Sequence, residues 1–289
     1  MASHNVLELQ VPSWSTAGVS EPHLDSVTAS INGVAGYLQT SPEFFLKRVL
    51  AATDLTAVYS LASAFRDNES GSNHNPEFIM LEWYQVGFSW QQLAAQAERL
   101  ILSQLSQVHS TQFAYADLFY DSTGLDPHEA SDAQLQVLAG QAISNTSDMS
   151  RSDYLDCIFV HNIEPNLADG VVTVYDFPAC QAALAEVANN ESGQAVAKRF
   201  EIYCNGIELA NGYSELRNAD ELSERWKANN AERKQLNKAP VPEDTYLLDA
   251  MRHGLPKCAG VALGIDRLVM CALGADKLSD VMSFSFKRC

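Results

Sequence analysis

His74-Asn-Pro-Glu-Phe-Ile-Met-Leu-Glu-Trp-Tyr84, with Phe65-Arg66-Asp67-Asn68-Glu69 ahead of it, is the stretch on which the fold turns. Residues 58–65 are mostly apolar and read as a strand that delivers Arg66. Residues 67–76 are polar, contain Gly71 and Pro76, and read as a loop. Residues 78–86 are apolar and aromatic and read as the returning strand. A strand, a loop and a return strand put Arg66 at a loop mouth, where a guanidinium can clamp a phosphate through two parallel hydrogen bonds. Phe78 offers a flat face to a nucleobase. Glu82 and Tyr84 are two apart, so they project to the same side of the strand. On pattern alone, the same residues fit a surface arginine beside a core aromatic strand equally well.

Two further segments carry chemistry. Glu201-Ile-Tyr-Cys-Asn-Gly-Ile-Glu208-Leu-Ala-Asn211-Gly-Tyr213-Ser-Glu215 turns at Asn205-Gly206, a strong hairpin signal. Glu201 and Glu208 fall on facing arms, where two carboxylates suit Mg²⁺ with phosphate oxygens and water. Glu215 with Glu82 would form an anionic pocket for an amine. The alternative is a solvated hairpin edge, although burying an unpaired charge among apolar residues is costly. In Gly260-Val-Ala262-Leu-Gly264-Ile-Asp-Arg267-Leu268, small residues at 260, 262 and 264 share one strand face and admit a ligand close to the backbone. Arg267 then opens a helix whose N–H groups favour anions. A glycine-spaced strand is weak evidence alone, and it resembles a dinucleotide fingerprint only superficially.

Elsewhere, residues 6–11 alternate apolar and polar up to Pro12 and predict a strand. Residues 42–52 predict a helix with Lys47 and Arg48 off its apolar face, 91–108 a long amphipathic helix, and 216–237 a charged helix. Residues 171–175 predict a strand, and the segment 109–169 gives only short helical patterns. Strands separated by helices and hairpins, without regular βαβ units, favour an α+β domain with an antiparallel sheet.

The composition is that of a globular protein, with 46% hydrophobic and 19% charged residues. A net charge of −17, from 19 basic and 36 acidic residues, disfavours a broad tRNA-binding surface. The same excess also serves solubility. No apolar run is long enough for a membrane span, and Met1-Ala-Ser-His4 lacks the features of a signal peptide, so a cytoplasmic protein is expected. The six cysteines form no C-x-x-C pair and are expected as buried free thiols.

In this order, the three segments resemble motif 2, the amino-acid and metal hairpin, and motif 3 of lysine-type class II aminoacyl-tRNA synthetases. The likeness is closer still to the elongation factor P–lysine ligase family. It rests on Thr40-Ser41-Pro42-Glu43, His74 to Tyr84, Asn205-Gly-Ile-Glu-Leu-Ala-Asn-Gly212 and Gly260 to Met270. The resemblance implies a single class II catalytic domain over 1–289, without an anticodon-binding domain. Its activity would be ATP-dependent adenylation of (R)-β-lysine or lysine, followed by transfer to a lysine ε-amine of elongation factor P.

By the same resemblance, Arg66 and Arg267 are catalytic. ATP would meet Arg66, Asp67, Asn68, His74, Asn75, Phe78, Glu208, Leu209, Gly264 and Arg267. Glu201 and Glu208 would hold Mg²⁺. Ser41, Glu43, Glu82, Tyr84, Asn211, Tyr213, Glu215 and Ala262 would shape the amino-acid pocket. Ala262 stands where tRNA synthetases carry glycine, and the ligase family, associated with (R)-β-lysine, carries alanine.

The chain departs from the family in places. Asn68 replaces a glutamate that reads adenine, Ser63 and Ser72 replace basic residues, and the long motif 1 helix is missing ahead of residue 6. That helix helps form the family's dimer, so a homodimer is expected where it is present, and its absence reads as truncation or an altered interface. These departures keep two other readings open: a catalytically impaired or regulatory paralogue, and a lysine–tRNA ligase-like activity on another acceptor.

Overall fold

The computed structural model describes residues 6–106, 108–167 and 170–289; Met1–His4 and Asp169, both covered by the readings above, lie outside them. The chain divides into two compact units, Met1–Leu93 with Glu215–Cys289, and Ala94–Ser214. In chain order the elements are β1 (Leu7–Glu8), β2 (Trp14–Ser15), β3 (Thr28–Ile31), β4 (Val34–Leu38), α1 (Glu43–Ala52), β5 (Ala57–Phe65), β6 (Glu77–Val86) and α2 (Trp90–Leu102). Then come β7 (Ser110–Ala114), α3 (Tyr115–Thr123), α4 (Asp132–Ala142), α5 (Arg151–Ile158), β8 (Val171–Pro178), β9 (Val187–Asn189), β10 (Ala195–Cys204) and β11 (Ile207–Ser214). The chain closes with α6 (Ala219–Gln235), α7 (Thr245–Gly254), β12 (Cys258–Gly264) and α8 (Ile265–Leu273).

In the first unit the strands run β1, β5, β6, β12. β5 pairs antiparallel with β6, and β6 with β12, while β1 joins β5 in parallel. A small sheet of β2, β4 and β3 turns at Asn32 and Gly33, both at positive φ. That is the backbone a tight two-residue hairpin requires. Leu46, Leu50, Val58 and Trp83 are fully buried here and fix α1 against the sheet.

In the second unit the order is β11, β10, β8, β7, with β9 on β10. All pairs are antiparallel except β7 with β8. A parallel pair needs a long crossover, and α3, α4 and α5 supply it. Serine caps start two of these helices: Ser131 with Gln134 and Ser150 with Asp153 form reciprocal capping boxes. The core collects Tyr115, Phe119, Phe159, Phe177 and Tyr203. Tyr115 stacks on Phe159 with centroids 5.1 Å apart.

The α+β expectation agrees with this arrangement, and several boundaries move. The first strand is confined to Leu7–Glu8, because pairing with β5 stops once the Leu9 amide has reached the Tyr59 carbonyl. α2 ends at Leu102 instead of reaching 108, where the Ser103 hydroxyl turns back to the Leu100 carbonyl at 2.7 Å. Lys47 was expected off the apolar face of its helix; it is instead buried, because carboxylates wait for it there. Cys204 and Cys258 are buried as expected, but Cys271 is only partly covered, and Cys180 and Cys289 are exposed. Among the described residues, no helix is long and apolar enough to cross a membrane.

Candidate active site

The register of β5, β6 and β12 assembles one face of the first unit. Tyr84 lies opposite Gly260, Glu82 opposite Ala262, and Met80 opposite Gly264. Directly opposed residues share a side of the sheet. Phe78, Met80, Glu82 and Tyr84 therefore project together over a row of small residues. A Cβ on Gly260 would collide with the Tyr84 ring and the Glu215 carboxylate. Glycine at 260 is what lets those two side chains lie over the strand.

Three carboxylates gather there. Glu43, in the first turn of α1, is 2.6 Å from Lys47 Nζ, and Glu215 is 2.5 Å from the same nitrogen. Tyr84 donates its hydroxyl to Glu82 Oε1 at 2.6 Å, and Glu82 Oε2 is buried without a hydrogen-bond partner. The Glu43 amide meets Ser41 Oγ at 3.4 Å, which ties Ser41 to the start of the helix. Burial raises the Glu82 carboxyl well above its ordinary range, and the Glu43 charge adds to the shift. Burial also pushes Glu215 up to about 7, against the opposing pull of Lys47. Lys47 itself shifts upward, because the carboxylates outweigh its burial. One ammonium among three carboxylates leaves the cluster short of positive charge.

At the far end of the same strands, the Arg66 guanidinium lies 5.2 Å from the Phe78 ring centroid, a cation–π distance. Arg66 Nε is buried without an acceptor, while one terminal nitrogen lies 3.9 Å from Glu69. Asn68 sits at φ 63, the left-handed region that asparagine tolerates well. Its amide meets the Asp67 carboxylate at 2.9 Å, and its side chain bonds Asp25. Arg267, in the first turn of α8 after Gly264, holds the Asn73 carbonyl at 3.1 Å and meets His74 Nε2 at 2.8 Å. Asn75 is tied at both ends: its amide reaches the Glu77 carbonyl at 2.6 Å, and its oxygen accepts from the Phe286 amide at 2.9 Å. Asp266 anchors β6 by accepting from the Ile79 amide at 2.7 Å.

The second unit carries the hairpin. Asn205 and Gly206 are both at positive φ, as the turn demands. Arg199 opposes Tyr213, Glu201 opposes Asn211, and Tyr203 opposes Glu208, with a register shift between Ile202 and Tyr203. Glu208 and Asn211 are three apart and would point to opposite sides of a regular strand. The bulge at Leu209 brings them to one side, which is what such irregularities do beside sites. Arg199 pairs with Glu201, and Tyr203 donates to its other oxygen at 2.5 Å. Glu201 is raised chiefly by burial and by the nearby Glu208 charge, with Arg199 opposing. Two hard oxygen donors under mutual repulsion fit a divalent cation such as Mg²⁺. Asn211 Oδ1 is buried without a partner.

The family model described as tRNA synthetases class II (D, K and N) matches residues 1–288. A protein of Pseudoalteromonas translucida is 43% identical over 296 residues, covering 99% of this chain and 90% of its own length. A protein of Vibrio cholerae is 42% identical, covering 99% and 91%, and one of Yersinia enterocolitica 40%, covering 99% and 90%. All three are named elongation factor P–(R)-β-lysine ligase. The chain belongs to this ligase family of class II synthetases. It is the family that the sequence motifs resemble.

Within the first unit the structure brings together Glu43, Glu82, Tyr84, Glu215 and Ala262, and separately pairs Arg66 with Phe78 and His74 with Arg267. Within the second it brings together Glu201, Glu208, Asn211 and Tyr213. Asp67, Asn68 and Asn75 spend their mapped hydrogen bonds on the loop and its neighbours. Sequence reading missed Lys47, Arg199, Tyr203 and Asp266. For Lys47 a signal was present: it lies four residues after Glu43 and directly between Leu46 and Arg48 on a helix whose Leu46 and Leu50 are core.

Proposed function

We propose that the chain activates (R)-β-lysine, or lysine, with ATP and transfers it to a lysine ε-amine of elongation factor P. The observation that carries the reading is the cluster of Glu43 with the buried Glu82 and Glu215, held around a single lysine and so complementary to an amine-bearing substrate. The names of the relatives support the acceptor and the amino acid.

In this reading residues 1–289 form a single class II catalytic domain. Phe78 stacks on the adenine, and Arg66, whose Nε lacks an acceptor, binds the α-phosphate. Arg267 orders the loop through Asn73 and His74 and adds positive charge at the start of α8. A substrate carboxylate oxygen attacks the α-phosphorus in line; the new O–P bond forms as the bond to pyrophosphate breaks. Both arginines stabilise the charge that develops, so no protein nucleophile is needed. The acceptor amine then attacks the carbonyl carbon of the mixed anhydride, an amide forms, and AMP leaves. Glu201 and Glu208 would hold Mg²⁺, which neutralises phosphate oxygens when bound. Ala262, opposite Glu82, narrows the floor of the amino-acid pocket by one methyl. A cytoplasmic location belongs to the same proposal, as does a homodimer where the motif 1 helix is present.

ATP–pyrophosphate exchange measured with (R)-β-lysine, with α-lysine and with no amino acid tests this reading. Exchange that requires a lysine-type amino acid is the expected result. A folded chain that exchanges with neither would overturn it.

A further inference from the structure

Lys47 has no place in the adenylation chemistry above, yet it is among the most buried charged groups in the chain, at 3% exposure. A lone buried ammonium is costly, and a buried pair repays that cost only with good geometry. Here the ammonium is hydrogen-bonded to Glu43 on its own helix and ion-paired with Glu215 just beyond β11. Glu82 is the third carboxylate of the cluster and the one Lys47 does not bridge. Its Oε1 takes the Tyr84 hydroxyl, and its Oε2 takes nothing.

We infer that Lys47 is a specificity-determining positioning residue, an internal counter-ion that occupies Glu43 and Glu215 and leaves Glu82 open for the substrate amine. The inference rests on the lysine-activating reading and deepens it. With Lys47 in place, the cluster has a fixed shortfall of positive charge, so it favours an amino acid that brings an additional ammonium over one with a neutral side chain. Without it, Glu43 and Glu215 repel each other and Glu82, and they take up protons or draw the substrate amine away from Glu82.

The groups around Lys47 are few. Glu43 faces it from α1, Glu82 and Tyr84 from β6, and Glu215 from the segment before α6. Cys258 on β12 feels the same charges, with Arg217 nearby, and burial pushes its thiol up to about 12, so it stays neutral. On α7, which packs on α1, Asp249 and Arg252 pair with each other at 3.3 Å at the surface and do not join the cluster.

The test is calorimetric binding of (R)-β-lysine to the full chain across pH 6 to 8.5, without ATP, alongside pyrophosphate exchange. Lys47→Met should weaken amino-acid binding roughly 30-fold or more, the penalty of stranding a buried charge. It should also move the pH for half-maximal binding upward and leave the KM for ATP within about twofold, since no phosphate contact is lost. The double variant Glu43→Gln/Lys47→Met removes one charge of each sign and should recover most of the affinity and the original pH profile. That variant also guards against a single substitution that fails to fold. A purely structural lysine would lower the melting temperature without moving the pH profile. An unmoved profile in Lys47→Met, no recovery in the double variant, or a wild-type chain that binds no amine would each overturn the inference. Wild-type binding with the shift in Lys47→Met, but no exchange, would sustain the inference and overturn the adenylation reading instead.

Discussion

Gly260→Ala adds a single methyl group where the strand passes beneath Tyr84 and Glu215. Neither neighbour yields cheaply. Tyr84 and Glu215 are each 2% exposed. If the tyrosine ring moves, its hydrogen bond to Glu82 is lost; a bond to a charged group is worth about 1.5–3 kcal/mol. If Glu215 moves, its ion pair with Lys47 is broken, and stranding one partner of a buried pair costs about 3–5 kcal/mol. Overpacking alone costs about 1–3 kcal/mol. Since the cheaper route dominates, the expected loss is about 2–4 kcal/mol, and about 1.4 kcal/mol is tenfold in binding. In ATP–pyrophosphate exchange the KM for (R)-β-lysine should rise roughly 30-fold or more, while the KM for ATP, which the proposal assigns to the Arg66 end, should change little. Gly71→Ala is the control, because a methyl there has no neighbour closer than 3.9 Å. An unchanged amino-acid KM together with an unchanged melting temperature in Gly260→Ala would refute the packing of this pocket.

Three further outcomes follow from the same geometry. Glu215 is raised from 4.5 to about 7, so the folded chain binds more protons than the unfolded one between those values. Stability should therefore fall as pH rises through that window, by up to about 1.4 kcal/mol per pH unit, while Lys47 stays charged throughout; melting curves with and without lysine should show that slope and its relief by the amine. Ala262→Gly removes the methyl opposite Glu82 and should shift the preference between (R)-β-lysine and α-lysine by about 1–3 kcal/mol, read as a ratio of kcat/KM. Gly140→Ala, in the exposed last turn of α4 with no atom within 4 Å of the added methyl, should stabilise the chain by about 0.4–1 kcal/mol in denaturant unfolding, with activity unchanged.

Much of the arrangement was readable in the sequence because local chemistry and global pairing agree. The Asn205-Gly206 turn, the strands flanking the Arg66 loop and the glycine that opens α8 each occur where their residue types demand. The small sheet of β2 to β4 was missed although Asn32-Gly33 carries the same turn signal, because its strands are short and hold few bulky apolar residues. β7 was missed because four of its five residues are exposed, which erases the alternation a half-buried strand displays. At the site, Glu43, Glu82 and Glu215 come from three distant segments; their chemistry alone paired Glu82 with Glu215, and only the family resemblance added Glu43 before the structure did. Lys47 was misplaced because a charged residue on a helix is ordinarily a solvated one, and only the tertiary contact with Glu215 shows otherwise. The bulge that turns Glu208 toward the Glu201 face has no glycine or proline to announce it.

The acceptor is decided by incubating elongation factor P with the chain, ATP and (R)-β-lysine, followed by intact-mass analysis, with the same reaction run in parallel on lysine tRNA. Elongation factor P should gain the mass of one lysyl group on a lysine side chain, the gain should require ATP, and the tRNA should stay uncharged. An unmodified elongation factor P beside a charged tRNA would contradict it.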